Sequence, residues 1–167
     1  PEDVNVGWQI DAYHVDIPLM AAPMDSVMSP ATAIRFGRLG GIGVLDLDGL
    51  WTRYEDPEPI LAEIARLGAD ESIARLQQIY SEPIKPSLIT ARLRQLREAG
   101  VVVAAKLSPQ RTQKYWRYVV DAGVDLFIIR GSTVSAEHVS SHHEPLNLKR
   151  FIYELDVPVI VGGVCTD

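Results

Sequence analysis

The sequence predicts an α/β fold with a parallel sheet, and three observations lead to this prediction. Apolar, β-branched runs alternate with amphipathic segments along the 167 residues. These runs are nearly continuous, as in strands that are buried on both faces. A repeat at residues 96–103 and 119–126 twice ends a helical pattern in Gly and then enters such a run. On pattern alone, a doubly wound sheet and a (β/α)₈ barrel both remain open.

Five strands are predicted, with helices between them. The predicted strands cover residues 17–22, 42–45, 101–106, 124–130 and 157–162. The predicted helices cover residues 29–39, 57–67, 70–80, 86–99, 109–122 and 148–155. Ser29 and Ser108 are expected to be N-caps, since a hydroxyl oxygen accepts a backbone N–H of the first turn. Residues 8–15 are expected to form one arm of an edge hairpin before the first unit.

The composition excludes several functional classes. The 16 Lys and Arg residues are outnumbered by 22 Asp and Glu residues, so the formal net charge is −6 and the pI is near 5.2. This acidity argues against nucleic acid or a membrane surface as the main partner. A single cysteine forms no internal disulfide, which fits a cytoplasmic location. The apolar runs are too short to span a bilayer.

Four sequence blocks carry a resemblance to a known family. Residues 18–27 (PLMAAPMDSV) precede residues 39–45 (LGGIGVL), and residues 122–125 (AGVD) precede residues 159–166 (VIVGGVCT). In this order and spacing, the blocks resemble the IMP dehydrogenase/GMP reductase family. The resemblance implies a (β/α)₈ barrel rather than a doubly wound sheet.

The resemblance also implies how the chain relates to a whole barrel. Residues 1–167 are expected to be one partial catalytic domain, the N-terminal part of the barrel, with the C-terminal half missing. The chain begins at Pro1 and stops directly after a strand-like run, so we expect a piece of a longer polypeptide. IMP dehydrogenases usually insert a pair of CBS domains after the Gly-Gly-Ile-Gly strand. The stretch from Leu47 to Val101 is too short for such a pair, so the chain most resembles the IMP-dehydrogenase-related branch without CBS domains.

The turn after the first barrel strand binds the purine nucleotide, according to the resemblance. Ala22, Pro23 and Met24 are the substrate-binding candidates, and Met24 matches the methionine that packs on the purine. Ala22 stands where dehydrogenases commonly carry Ser. Taken without the resemblance, the spacing of Met20, Met24 and Met28 is more typical of core packing.

The resemblance implies four cofactor-binding candidates: Arg130, Gly131, Ser132 and Gly163. Arg130 stands where the family has an acidic residue that holds a cofactor ribose, and Gly163 stands where the family often has Asn. A guanidinium holds a phosphate well, so between NAD and NADP we expect a preference for NADP. The alternative for Arg130 is a structural salt bridge to a neighbouring acidic residue such as Asp125 or Glu154.

The implied activity is an oxidation or reduction with NAD or NADP at carbon 2 of a purine nucleoside monophosphate, within the interconversion of IMP, XMP and GMP. In the family a cysteine attacks this carbon. That cysteine lies on a later loop, so no catalytic residue is expected in this segment. Arg130 and the missing CBS pair favour the GMP reductase direction. A homo-tetramer and a monovalent cation are further expectations from the family.

The departures from the family pattern support an alternative from another class. They stand at Ala22, Arg130 and Gly163. Together they are compatible with a non-catalytic regulatory homologue that binds a purine nucleotide.

Three further features resemble functional sites but are expected to be structural. Cys165 ends an apolar strand and is expected to be a small buried residue rather than the nucleophile. Residues 137–144 hold three histidines and two glutamates in a loop-like stretch, and no metal site is expected there. Gly40, Gly41 and Gly43 are expected to form a tight turn and a close backbone approach rather than a phosphate loop.

Overall fold

The structure is a computed structural model that describes residues 4–134 and 147–164, and it is an α/β fold. An antiparallel hairpin of β1 (Trp8–Ile10) and β2 (Tyr13–Val15) comes first. A curled five-stranded sheet follows, in which the strands are parallel and lie in chain order. Its strands are β3 (Met20–Ala21), β4 (Ile42–Asp46), β5 (Ala104–Leu107), β6 (Leu126–Val134) and β7 (Val159–Val164). The predicted parallel sheet is confirmed.

Helices connect the strands, as the alternation in the sequence predicts. They are α1 (Pro30–Arg38), α2 (Glu58–Ile64), α3 (Ala69–Ser81), α4 (Pro86–Glu98), α5 (Pro109–Asp121) and α6 (Leu148–Glu154). A short 3₁₀ turn at Leu50–Thr52, which the sequence pattern does not predict, follows β4. Within residues 4–134 and 147–164, none of the helices is long and apolar enough to cross a membrane.

The two faces of the sheet have different neighbours. On one face, strand residues such as Leu45 and Phe127 share a core with side chains of α1, α4, α5 and α6. On the other face, Val44 and Leu126 share a second core with Val15 of the hairpin. Successive strand residues point to opposite faces, which explains the two cores. The face without helices is therefore the interior side of the curled sheet, and the hairpin packs at its amino end.

Asp125 fixes the amino end of β6. Its carboxylate accepts hydrogen bonds from the Tyr13 hydroxyl at 2.9 Å, from the Val103 backbone N–H at 2.8 Å and from Arg97 Nη2 at 2.8 Å. Burial raises the pKa of Tyr13, and the bond to Asp125 raises it further. Asp125 is thus fully engaged at the end of the sheet away from the strand carboxyl ends.

The two predicted N-caps have different outcomes. Ser29 begins α1, and its hydroxyl accepts the N–H of Thr32 at 3.0 Å, as predicted. Ser108 directly precedes α5, but its side chain makes no capping bond. Its hydroxyl lies 3.2 Å from Asp48 Oδ1 instead. The prediction that Ser108 is the N-cap residue of α5 is therefore confirmed, and only the side-chain capping bond is absent.

The strand boundaries also differ from the predicted ones, most clearly at β3 and β6. The sequence predicts a strand over residues 17–22, but the pairing with β4 is limited to Met20–Ala21. Ile17 donates its N–H to the carbonyl of Gly40 at 3.0 Å, so this stretch contacts a turn rather than a strand. The strand predicted to end at Arg130 continues to Val134, with an irregular register opposite β7.

Glycines allow the close contacts that the sequence pattern predicts. Gly100 and Gly123 follow α4 and α5 with φ values of 71° and 81°, which suits glycine at the end of a helix. A Cβ at Gly43 would lie 2.5 Å from the Cα of Ala33, so α1 packs directly on the backbone of β4. Gly40 has a φ of 93° in the turn before β4.

Candidate functional site

Polar side chains follow the apolar core residues on the interior face of three neighbouring strands. Asp46 in β4, Lys106 in β5 and Arg130 in β6 each stand two residues after a member of the interior core. Side chains two residues apart in a strand share a face. These three residues therefore lie on the interior face, toward the carboxyl ends of the strands. Ligand sites of (β/α)₈ barrels occur at this end.

A pocket of about 320 Å³ opens at this end of the sheet. It is lined by Pro23, Lys106, Arg130 and Gly131. Pro23 comes from the predicted substrate turn, whereas Arg130 and Gly131 come from the predicted cofactor site. The structure brings these three candidates to one place, and their individual roles remain predictions.

Lys106 is held between two carboxylates at the pocket. Its Nζ lies 3.1 Å from Asp46 Oδ1 and 3.0 Å from Asp48 Oδ2, and the three side chains are 14%, 17% and 18% exposed. Burial lowers the pKa of Lys106, but the two carboxylates outweigh this effect and raise the pKa above its usual value. Burial raises the pKa of Asp46, and Lys106 offsets only part of this. Lys106 is therefore cationic at neutral pH.

Asp48 also joins the end of β4 to the start of α5. Its Oδ2 accepts the backbone N–H of Ser108 at 2.7 Å, and its own N–H donates to Asp46 Oδ1 at 2.9 Å. The positive end of the α5 dipole favours a carboxylate at this position. The two carboxylates thus hold Lys106, the end of β4 and the start of α5 in a fixed arrangement.

Arg130 has surroundings that differ from those of Lys106. Its side chain is exposed, and it makes no ion pair or side-chain hydrogen bond with any residue that the structure describes. The alternative partners from the sequence analysis pair elsewhere: Asp125 with Arg97 at 2.8 Å, and Glu154 with Arg150 at 2.7 Å. The interpretation of Arg130 as a partner of Asp125 or Glu154 is therefore wrong.

The turn after β3 presents its first residues to solvent. Ala22 is exposed, and Met24 is 50% exposed. Backbone bonds close the turn, from Met24 N–H to the Ala22 carbonyl at 2.9 Å and from Met28 N–H to the Met24 carbonyl at 2.7 Å. Met28 itself is 2% exposed and lies in the core. Met24 thus offers an apolar surface next to the pocket-lining Pro23.

Asp25, the next residue of this turn, is bound by groups from the segment after β4. Its Oδ2 accepts the Leu50 N–H at 2.7 Å and the Tyr80 hydroxyl at 2.6 Å. Burial raises the pKa of Tyr80 above its usual range, and the bond to Asp25 raises it further. Tyr80 is therefore a protonated donor at neutral pH. A Cβ at Gly49 would lie 1.8 Å from Asp25 Oδ1, so the carboxylate packs directly on the backbone there.

The remaining candidates are only partly described. Ser132 lies in β6, and Gly163 lies in β7 with a φ of 78° and is exposed. Cys165 and residues 137–144 lie outside the described residues. Residues 4–134 and 147–164 contain no group of three or more His, Cys, Asp or Glu that could hold a metal ion.

The sequence did not predict several side chains at this end of the sheet, among them Asp46, Asp48, Lys106 and Tyr80. A usable signal exists for Asp46 and Lys106, because each stands two residues after an apolar strand residue, near the end of a strand. For Asp48 and Tyr80 there is no local signal. Their partners lie 60 and 55 residues away in the chain, and only the folded sheet brings them together.

The curled parallel sheet, the helices on one face and the polar residues at the strand carboxyl ends define the class of protein, the β/α barrel. The chain matches the IMP dehydrogenase / GMP reductase domain over residues 1–167. It belongs to this family, and the resemblance in the sequence is confirmed. A solved relative supports the fold: an IMP dehydrogenase/GMP reductase-like protein from Corynebacterium glutamicum matches with a TM-score of 0.90 and 39% identity, over 98% of this chain and 44% of that one.

Mycobacterial proteins are also similar to the chain. A protein of Mycolicibacterium smegmatis named as an uncharacterized oxidoreductase is 47% identical over 98% of this chain. Proteins of Mycobacterium tuberculosis and Mycobacterium leprae with the same kind of name are 46% and 44% identical over the same share. The chain spans 45% of the length of each of these relatives.

Proposed function

We propose that the chain is the N-terminal part of a barrel oxidoreductase without CBS domains. Its reaction is an NAD(P)-dependent change at carbon 2 of a purine nucleoside monophosphate, with the GMP reductase direction favoured over IMP dehydrogenase. Family membership and the oxidoreductase names of the relatives support the reaction class. The observation that carries the proposal is the pocket that groups Pro23 with Arg130 and Gly131.

The substrate part of the proposal concerns Ala22, Pro23 and Met24. Met24 is 50% exposed and follows the pocket-lining Pro23, and an aromatic base is a suitable ligand for such an apolar surface. Pro23 contributes to the pocket wall itself. In this proposal the turn packs on the purine. The residues that bind the substrate phosphate and the catalytic cysteine belong to parts of the barrel beyond this chain.

The cofactor part of the proposal concerns Arg130, Gly131, Ser132 and Gly163. The exposed guanidinium of Arg130 fits an anionic group, since it can hold a phosphate with two parallel hydrogen bonds. A Cβ at Gly162 would lie 3.9 Å from Arg130 Cγ, so the neighbouring strand leaves room beside this side chain. These features favour NADP(H), whose 2′-phosphate an arginine can bind. When bound, the nicotinamide accepts or donates the hydride.

The proposal includes an assembly and a location. The family resemblance supports a homo-tetramer and a monovalent-cation site. The acidic composition and the single cysteine support a cytoplasmic location without nucleic acid or membrane as a partner.

The test is a change of cofactor preference in the proposed full-length enzyme. In Arg130→Asp, the ratio of kcat/KM for NADPH to that for NADH, with GMP as substrate, is expected to fall at least tenfold, or ~1.4 kcal/mol. The matched control is Arg94→Asp, which makes the same charge change at an exposed position of α4. The control is expected to leave the ratio unchanged.

Two outcomes would redirect the proposal. An unchanged ratio in Arg130→Asp, or a wild-type preference for NAD⁺ with IMP, would favour the dehydrogenase direction. Binding of GMP or IMP without turnover in either direction would favour the non-catalytic regulatory homologue.

A further inference from the structure

The segment that follows β4 reaches back to the proposed substrate turn. It includes the 3₁₀ turn at Leu50–Thr52 and the helices α2 and α3. Tyr80, near the end of α3, and Leu50 both donate to the same oxygen of Asp25, at 2.6 and 2.7 Å. Asp25 directly follows Met24, so this segment is bonded to the residue beside the proposed purine contact.

Few other side chains hold the proposed substrate turn against the segment that follows β4. Ala22 and Met24 are exposed, so neither side chain fixes the turn by packing. Ser26 and Val27 are exposed as well. The carboxylate of Asp25, with its two donors, is the side-chain hydrogen-bonding link between the turn and the rest of the described chain.

Tyr80 is itself held in place. Its ring lies against the guanidinium of Arg53, 5.5 Å from the ring centroid. Arg53 is 5% exposed and donates to the carbonyls of Asp48, at 2.9 Å, and of Glu82. Because Arg53 is fixed on both sides, the Tyr80 hydroxyl is presented to Asp25 from a rigid support.

We infer that Tyr80 is a positioning residue for the substrate turn, which it holds through Asp25 in the place that Met24 needs to contact the purine. The inference rests on the proposed function of the turn. Tyr80 does not touch the nucleotide in this arrangement. The segment after β4 therefore does more than connect two barrel units, because it sets the geometry of the site from outside the sheet.

The matched pair of variants is Tyr80→Phe and Tyr54→Phe. Tyr54 belongs to the same segment, and its hydroxyl donates to the Ile79 carbonyl at 3.1 Å, without contact with the turn. Each variant removes one hydroxyl and one hydrogen bond. A general loss of stability would affect both, whereas a loss of positioning would affect only Tyr80→Phe.

Hydrogen exchange tests the inference directly. In the full-length protein, the amides of Val27 and Met28, which bond to the Met24 carbonyl, are expected to exchange about 2- to 10-fold faster in Tyr80→Phe, the effect of one lost hydrogen bond. They are expected to be unchanged in Tyr54→Phe. Equal exchange in wild type and Tyr80→Phe would overturn the inference, as would equal acceleration in both variants.

Nucleotide binding separates this inference from the proposed function. The KM for GMP and its calorimetric Kd are expected to rise about 2- to 10-fold in Tyr80→Phe, with the KM for NADPH unchanged. Met24→Ala is measured alongside. Weaker GMP binding in Met24→Ala but not in Tyr80→Phe would overturn the role of Tyr80 alone. Unchanged GMP binding in Met24→Ala would instead contradict the proposed function of the turn.

Discussion

Met24 and Met28 stand four residues apart and have opposite surroundings. Met24 follows the pocket-lining Pro23 and is 50% exposed, whereas Met28 is 2% exposed in the core. Their spacing alone suits a buried helical stripe. The turn closed by the Met28 N–H and the Met24 carbonyl separates them instead. At the scale of single residues, the backbone conformation of this turn decides which methionine is available to a ligand.

This contrast predicts opposite effects for two alanine substitutions. Met24→Ala is expected to weaken purine nucleotide binding by about 1–3 kcal/mol and to leave the melting temperature nearly unchanged, because it removes exposed apolar surface. Met28→Ala is expected to lower the free energy of unfolding by about 2–5 kcal/mol, because it creates a cavity in the core. Calorimetric binding and chemical unfolding of both full-length variants check this. Similar losses of stability in the two variants would mean that Met24 is a core residue.

Lys106 provides a prediction that depends on pH. Lys106→Met leaves Asp46 and Asp48 charged and mostly buried without their cation, so at pH 7 we expect a loss of about 1–3 kcal/mol in unfolding free energy. Burial raises the pKa of Asp46 already in the wild type. Protonation of Asp46 therefore removes its unpaired charge as the pH falls into the acidic range. The difference in unfolding free energy between wild type and Lys106→Met should therefore become smaller at acidic pH.

The direction in which the wild-type unfolding free energy changes with pH follows from the raised pKa of Lys106. The stability that Lys106 contributes is present below its unfolded pKa of about 10.4, and it is lost as the pH rises through the higher folded value. Urea unfolding at a series of pH values measures both effects. Lys149→Met, at an exposed position of α6, is the control and should be nearly neutral throughout. A loss in Lys106→Met that is independent of pH would exclude the ion pairs as its cause.

At the scale of elements, the sequence locates the helices well and the strands less well. Pro30, Pro86 and Pro109 begin three helices, and Gly100 and Gly123 follow two of them, so these ends are fixed by local backbone chemistry. Strand ends depend on partners instead. The predicted strand at residues 101–106 starts pairing with β4 only at Ala104. Val101 packs against Gly37 of α1, where an added Cβ would lie 2.7 Å from the Val101 Cβ.

A variant at the start of α1 tests how much a single N-cap contributes to the stability of the helix next to the substrate turn. Ser29→Ala removes the hydroxyl that accepts the Thr32 N–H and is expected to cost about 1 kcal/mol of unfolding free energy. Ser87→Ala, at an exposed position in the first turn of α4, is expected to be within ~0.5 kcal/mol of wild type. Thermal unfolding of the full-length variants compares them. Equal stabilities would mean that other contacts hold α1 without its cap.

At the scale of the whole molecule, the site is formed by the ends of several strands, and the sequence alone does not predict how these ends align. The resemblance predicts Pro23, Arg130 and Gly131, and these do line one pocket. The alternation of side chains along a strand predicts that Lys106 lies on the inward face of the sheet. Neither predicts that Lys106 lies beside Asp46, 60 residues away, since that contact depends on the register between β4 and β5. Long-range register is the physical information that a local pattern lacks.

The sheet of the described residues has two outer strands, and this leads to the last prediction. β3 and β7 each pair with one neighbour only, and β7 is a run of mainly apolar residues. Unpaired strand edges bind other chains, so the 167 residues expressed alone are expected to aggregate. Light scattering over a range of protein concentrations measures this. A protein extended to the length of the relatives is the control and is expected to stay soluble, because further barrel units would cover both edges. A monomeric 167-residue chain that melts cooperatively would show that the five-stranded sheet is stable with its edges open.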